Sequence, residues 1–342
     1  MSERHGSWSR REFVERLGIV GAVGLLSMRP VNAAAEPPPE TTRLRLGKYS
    51  AVCTAPQFVA EPLFQAEGFS DTQYVTRPGP TSWTMKALAA GEIDIAVYYC
   101  TNLILQLDAG DPVVILGGIH VGCYELFGGE RVRAVRDLRG RKVAVPELGH
   151  SHHIFVSMMA SHVGLDPRKD IEWAIQPAAE SKKLLAEAKI DALVAFPPDP
   201  QELRAKKIGH VVVASAIDRP WSQYFCCMIG ANADFVRKHP IATKRAARAI
   251  LKATNLCTTE PAQAARLLVD RDIAKSYEYE YVLQTLKDLP YNRWRELDPT
   301  DAVRFWALRL HEAGLIKSGP NKIIAQGTDW RFFNELKKEL KG

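Results

Sequence analysis

The stretch Lys142-Val143-Ala144-Val145-Pro146-Glu147-Leu148-Gly149-His150-Ser151-His152-His153 decides how the rest of the chain is read. Val143 to Val145 form a short apolar, β-branched run, the composition of a buried strand. Pro146 and Gly149 interrupt it, and Ser151 stands where it can cap a helix running to residue 163. A strand, a tight turn and a helix in about twenty residues form half of a β/α unit. In open α/β sheets ligands bind beyond the carboxyl ends of the strands, so the turn at 149–153 is where a site belongs.

The same alternation extends in both directions. Upstream, strands are expected at 44–49, 73–76, 93–97 and 113–116, with helices at 56–67, 82–90 and 102–109 between them. Downstream, strands at 171–175, 192–196 and 211–213 alternate with a helix at 180–189. From about residue 234 the pattern is nearly all helical, over 241–257, 261–269, 276–286, 301–313 and 330–340. Short strands alternating with helices predict an α/β fold of largely parallel sheets with covered faces, here two β/α lobes and a helical tail.

Composition excludes several function classes. The chain has 342 residues, of which 46% are apolar and 25% charged, as in a soluble globular protein of one or two domains. Its net charge of +6 is scattered, with no run of five or six like charges, so no nucleic-acid partner is expected. Six cysteines lie at 53, 100, 123, 226, 227 and 257 without Cys-x-x-Cys spacing, and read as buried apolar residues. Adjacent Cys226 and Cys227 would point to opposite faces of a strand, which argues against one metal between them.

The N-terminus reads as an address. Arg10-Arg11 and Phe13 precede an apolar run from Leu17 to Met28, and small residues around Ala33-Ala34-Ala35 offer a cleavage site. Paired arginines in this setting resemble the twin-arginine export signal. Residues 1–35 are therefore expected to be a signal peptide and 36–42 a proline-stiffened linker, with a periplasmic mature protein.

Three histidines at 150, 152 and 153 raise the possibility of a metal. Neighbouring residues on a helix are roughly 100° apart, however, and helical metal pairs use i,i+4 spacing. A helix N-terminus is an anion site by its unpaired N–H groups, so the turn is read as a pocket wall, with no metal and no cofactor expected. No Gly-x-Ser-x-Gly, Walker, His-Glu-x-x-His or Gly-x-Gly-x-x-Gly motif is present, and no catalytic residue is expected. Trp83, Tyr98, Tyr99, Phe196, Trp221 and Tyr224 lie near element ends and would suit a planar or partly apolar ligand. The stripe of Lys244, Arg245, Arg248 and Lys252 reads as a solvated helix face.

With these residues in place, the chain resembles the substrate-binding proteins of the nitrate/sulfonate/taurine class of ABC importers over most of 43–270. The resemblance is carried by Gly91-Glu92-Ile93-Asp94-Ile95-Ala96, by Asp137-Leu138-Arg139-Gly140-Arg141-Lys142-Val143, by Gly164-Leu165-Asp166-Pro167, by Ala188-Lys189-Ile190-Asp191-Ala192 before Pro197-Pro198, and by Phe235-Val236-Arg237-Lys238-His239-Pro240. It implies a two-lobed periplasmic binding protein fold of type II, two doubly wound sheets joined by a two-strand hinge. Lobe one would be 43–130 plus 225–342, and lobe two 131–224. It also implies a monomer that captures a small organic anion or heteroaromatic compound by lobe closure and delivers it to an ABC permease. The ligand contacts it implies are Ser50, Thr54, Ser82, Trp83, Tyr98, Tyr99, His150, Ser151, His152 and Phe196.

The same superfamily includes thiamine-pyrimidine synthases, which carry a cysteine-rich run where this chain has Phe225-Cys226-Cys227-Met228. An enzyme of that kind is one alternative, and a sensor that reports ligand binding to a membrane receptor is another. The export signal and the shortened cysteine run favour a binding protein over an enzyme.

Overall fold

Among the described residues, ten strands pair into two five-stranded sheets built on the same plan. The computed structural model describes residues 36–48, 51–77 and 83–341, so the expected signal peptide lies outside the described residues. In the first sheet, β1 (Arg43–Gly47) pairs in parallel with β2 (Asp71–Val75) and β3 (Ile95–Tyr99). In the second, β6 (Arg141–Val145) pairs in parallel with β7 (Ile171–Ile175) and β8 (Ala192–Ala195). Each sheet ends on an edge strand, β4 (Val113–Val121) or β9 (His210–Ala214). Between β3 and β4 lies antiparallel β10 (Phe225–Asn232), and between β8 and β9 lies antiparallel β5 (Glu125–Gly128). The sheets are therefore mixed, and the strand after each edge strand is inserted into the other sheet.

Two aspartates found in the sequence motifs hold equivalent places in this repeat. Asp94 accepts from the Arg45 amide at 2.7 Å and from the Arg45 guanidinium, while its own amide donates to the Arg45 carbonyl. Asp191 accepts from the Lys142 amide at 3.0 Å and returns its amide to the Lys142 carbonyl. Each thereby locks the head of its lobe's third parallel strand to the first. The inserted strands attach at the same points, through Asn232 N–H to the Asp94 carbonyl and Gly129 N–H to the Asp191 carbonyl.

Helices cover the sheets. The first lobe has α1 (Ala55–Val59), α2 (Glu61–Ala66), α3 (Trp83–Ala89) and α4 (Cys100–Ala109). The expected single helix over 56–67 is two, because Pro62 has no N–H to give to the preceding turn and its ring crowds the carbonyl four residues back. The second lobe has α5 (Ser151–His162), α6 (Ala178–Ala186) and α7 (Asp199–Ala205). The tail consists of α8 (Ala233–Lys238), α9 (Pro240–Thr259), α10 (Pro261–Asp270), α11 (Tyr279–Asp288), α12 (Pro299–Glu312), α13 (Pro320–Gly327) and α14 (Arg331–Glu339). Four of these open on proline, whose fixed φ suits the first helical turn. No helix among the described residues is long and apolar enough to cross a membrane.

The basic residues of α9 are not a solvated face. Arg248 and Lys252 grip the buried Glu67 carboxylate at 2.7 and 3.0 Å, and Lys244 reaches Glu335 and Glu339 of α14. α9 is held between α2 and the last helix, and its charges saturate there. The tail also reaches the second lobe. Arg309 of α12 donates to His162 of α5, and Asp288 of α11 receives Arg204 and Gln201 of α7.

The chain passes between the sheets twice, at 122–124 and 215–224, and the two passages touch. Ser215 accepts from the amides of Cys123 and Tyr124 at 3.0 and 2.9 Å, and its hydroxyl donates to the Tyr124 carbonyl at 2.7 Å. Gly122 has φ +52°, and a Cβ there would lie 2.3 Å from the Ala216 Cα. Gly122→Ala combines a disfavoured backbone conformation with a backbone clash. It is expected to lower stability by about 2–4 kcal/mol, read as a reduced urea midpoint; an unchanged midpoint would show that the passages tolerate separation.

Candidate functional site

The candidate site is assembled from residues just beyond the carboxyl ends of β1, β3, β6 and β8, where chain geometry leaves helix starts and turns facing the gap between the sheets. Tyr99 ends β3, and Phe196 follows β8; their rings lie 4.8 Å apart. Phe155 of α5 lies 5.4 Å from Phe196 and 6.2 Å from Tyr99, and Tyr124 of the first passage lies 4.0 Å from Phe155. His152 packs its ring edge against Phe196 at 4.5 Å, and His150 stacks on His152. Four aromatic rings from both lobes thus form one nest, edged by imidazoles.

Two helix N-termini open beside it. Neither α4 nor α5 has a side chain capping its first amides. They are brought together by a contact across the lobes, the Ser151 hydroxyl donating to Asn102 Oδ1 at 3.0 Å. Such termini present unpaired N–H groups and partial positive charge. The Tyr124 hydroxyl is buried and has no hydrogen-bond partner among the described residues, which is unusual enough for a polar atom to mark a place where a ligand or water completes the bonding.

The three histidines do not converge. His150 Nδ1 and His152 Nδ1 lie 2.9 Å apart, so one donates and the other accepts, and at least one ring is neutral. His153 turns away to Trp173 and accepts the Gly149 amide on Nδ1, which requires a neutral ring there too. Burial holds His152 well below the ordinary imidazole value of 6.5, with His150 adding to the effect. Burial lowers His150 and His153 as well. The imidazoles therefore act near neutrality as hydrogen-bonding groups rather than cations.

Of the residues expected from sequence, Tyr99, His150, Ser151, His152 and Phe196 are brought together. Tyr98 is buried behind them, its ring 5.4 Å from Tyr99. Thr54 is buried and spends its hydroxyl on the Ala51 carbonyl at 2.8 Å, bracing the turn after β1. Trp83 opens α3 and packs against the core. Ser50 and Ser82 lie outside the described residues. Trp221 and Tyr224 face the tail, stacking on Trp306 and Phe305. Sequence reasoning missed Tyr124, Phe155 and Asn102. Phe155 was accessible, being three residues from His152 on the same helix face.

The expectation that Cys226 and Cys227 diverge fails. Their sulfurs lie with that of Cys123 in one group whose atoms are all within 4.8 Å of one another. The reason is a bulge: the pairing of β10 with β4 slips between Phe225 and Cys227 and again before Met228, which re-aims the side chains.

The sequence profile of the NMT1-like family matches residues 37–270. The chain belongs to the NMT1-like family. No curated protein matches the sequence. Among solved structures, this NMT1-like chain is similar to the periplasmic nitrate-binding protein NrtA from Synechocystis PCC 6803, with a TM-score of 0.74, 17% identity, and 89% and 90% of the two chains covered. It is similar to the alkanesulfonate-binding protein SsuA from Xanthomonas axonopodis pv. citri bound to MOPS, with a TM-score of 0.63, 17% identity and coverage of 83% and 96%. The periplasmic aliphatic sulphonate binding protein SsuA from Escherichia coli gives 0.64, 18%, and 81% and 94%. At these identities the likeness establishes the fold, the two-lobed periplasmic binding protein architecture.

The imidazole environment sets a pH dependence. The folded-state pKa of His150 and His152 lies below the unfolded value, so the unfolded chain binds protons first as pH falls. Their contribution to stability is whole above about pH 6.5 and is lost as pH drops below it. The thermal midpoint should therefore fall between about pH 7 and pH 5, and fall less in His152→Gln; superimposable midpoint curves for the two proteins would refute the assignment.

Proposed function

We propose that this chain is the solute-binding component of an ABC importer, exported by residues 1–35 to the periplasm, which closes two lobes over a small planar organic anion or heteroaromatic compound. The observation that carries the reading is the aromatic nest of Tyr99, Tyr124, Phe155 and Phe196, drawn from both lobes and set beside two uncapped helix N-termini. Rings of this kind accept a flat ligand by stacking, and helix ends accept a carboxylate or sulfonate without a buried cation. The chain's likeness to nitrate-binding and alkanesulfonate-binding proteins supports an anionic cargo.

Residues 43–121 and 225–342 are read as lobe one and 125–214 as lobe two. This reading sets the boundary before β5, which pairs within the second sheet. The contact of Ser151 with Asn102 forms when the lobes meet and is absent when they part, so ligand bound between them favours the closed form. A permease would recognise that form, and the chain would act as a monomer without making or breaking covalent bonds.

A thermal-shift panel tests this. It should contain aryl sulfonates, aromatic carboxylates, pyrimidines, alkyl sulfonates and nitrate. A cognate ligand at ~100 times its Kd stabilises the fold by about 2.7 kcal/mol. Aromatic anions are expected to shift the midpoint. Phe196→Ala should weaken binding by about tenfold or more, and Tyr124→Phe by a few-fold, the loss of one hydrogen bond. A response confined to nitrate, or equal response in Phe196→Ala, would overturn the aromatic cargo.

A further inference from the structure

The bulge in β10 leaves one residue over. Phe225 pairs with Val121 and Cys227 with His120, so Cys226 between them has no partner on β4. Beyond Val121 the chain enters the first passage, and Cys226 reaches it there: its sulfur lies 2.7 Å from that of Cys123. Another pair of the same neighbourhood, Cys53 and Cys227, stands at 4.0 Å. The Cys123–Cys226 separation is thus closer to the bonded distance of about 2.05 Å than to that contact, and a movement of well under an ångström closes it. Both are buried thiols. The main chain around each is fixed, Cys123 by its amide on Ser215 at 3.0 Å and Cys226 by the pairing of its neighbours. The two cysteines are 103 residues apart in sequence, and the whole second sheet lies between them.

We propose that Cys123 and Cys226 are joined by a disulfide in the exported protein, a covalent clasp between the first passage and the start of β10. The inference rests on the export proposed above for its oxidising compartment, and not on the identity of the solute. Burial alone raises the Cys226 thiol, but hydrogen bonds from the Cys123 and Cys227 sulfhydryls bring it down to about 7, so Cys226 supplies the thiolate near neutral pH. It attacks one sulfur of a small-molecule or protein disulfide. That S–S bond breaks, one thiolate leaves with the electron pair, and Cys226 carries a mixed disulfide. Cys123 then gives up its proton and attacks the Cys226 sulfur, expelling the second thiolate. Two thiols are oxidised, one external disulfide is reduced, and the two protons end on the departing sulfurs. Both cysteines are covered in this fold, so exchange precedes the seating of β10 or accompanies parting of the lobes, and the finished bridge is shielded from reductants. Closing a loop of about a hundred residues restricts the unfolded chain more than a short loop would. In the folded protein the bridge holds the passages together at a further point beside the Ser215 contact.

The test uses the full chain, expressed with its own N-terminus and recovered separately from the periplasmic and cytoplasmic fractions. Each sample is denatured without reductant, its thiols are alkylated, and its peptides are mapped by mass. The expected result is alkylation of Cys53, Cys100, Cys227 and Cys257, with one linked pair of peptides joining Cys123 to Cys226. Reductant added to the linked protein should lower its thermal midpoint by about 5 °C or more. The double variant Cys123→Ser, Cys226→Ser should start at the lower midpoint and not respond, while Cys257→Ser, in buried α9, responds as the wild type does. If the double variant fails to fold, the peptide map of the wild-type protein decides. Refolding over oxidised glutathione separates this inference from the export it rests on: a Cys123–Cys226 link formed there by a chain found only in the cytoplasm supports the bridge and refutes export. Six unlinked thiols in the periplasmic protein or after that refolding, a link between any other two cysteines, or a midpoint indifferent to reductant overturns the clasp.

Discussion

Everything in the molecule turns on two chain segments passing each other at backbone contact distance. Ser215 reads the amides of Cys123 and Tyr124 with one hydroxyl, and Gly122 lets Ala216 lie where a side chain would stand. In the sheets on either side, Asp94 and Asp191 lock the third parallel strand to the first. The chain crosses between the sheets only at 122–124 and 215–224 among the described residues, and the first crossing also delivers Tyr124 to the nest. The joint and the ligand wall are the same piece of chain.

The site is built almost wholly from neutral groups. Its imidazoles are held uncharged by burial, its rings carry no charge, and Lys244, Arg248 and Lys252 of α9 are engaged elsewhere, on Glu67, Glu335 and Glu339. The proposed anion would be favoured by the pair of helix ends, whose partial charges are fixed in direction by the backbone. Under the proposed function that arrangement suits release of a cargo, because a full ion pair buried between two lobes costs desolvation twice, once for each partner.

The alternation of short strands and helices was legible, because periodicity is a local property: β7 falls on the expected 171–175 and α5 starts at Ser151, although Ser151 does not cap it, since His150 holds the N-cap position and the Ser151 hydroxyl goes to Asn102. The residues missed share a different origin. β5 is four residues long, Glu125 to Gly128, too brief for a pattern, and its place in the second sheet is decided by partners at 192–195 and 210–214. β4 continues to Val121 through Gly117 and Gly118, past the expected strand at 113–116; a Cβ at Gly117 would lie 2.3 Å from Phe333 and one at Gly118 2.3 Å from Phe225, so these glycines serve close packing rather than a turn. Of the candidate site, residues at strand ends could be named, whereas Tyr124 and the cysteine group depend on the passage between sheets and on a bulge. Neither leaves a periodic trace in the sequence.

The exchange of inserted strands has a consequence for the newborn chain. All five strands of the second sheet lie between Glu125 and Ala214, so that lobe is complete in synthesis as soon as its last strand emerges. The first sheet is begun earlier yet lacks its fourth strand until Phe225 to Asn232 appear, and from Val121 to Phe225 the facing edges of β3 and β4 have no partner. An unpaired edge is a template for pairing with another chain. The later-started half is thus the first to finish on the ribosome, and the earlier half must wait with an open sheet, which makes that interval the one in which a chaperone has most to protect.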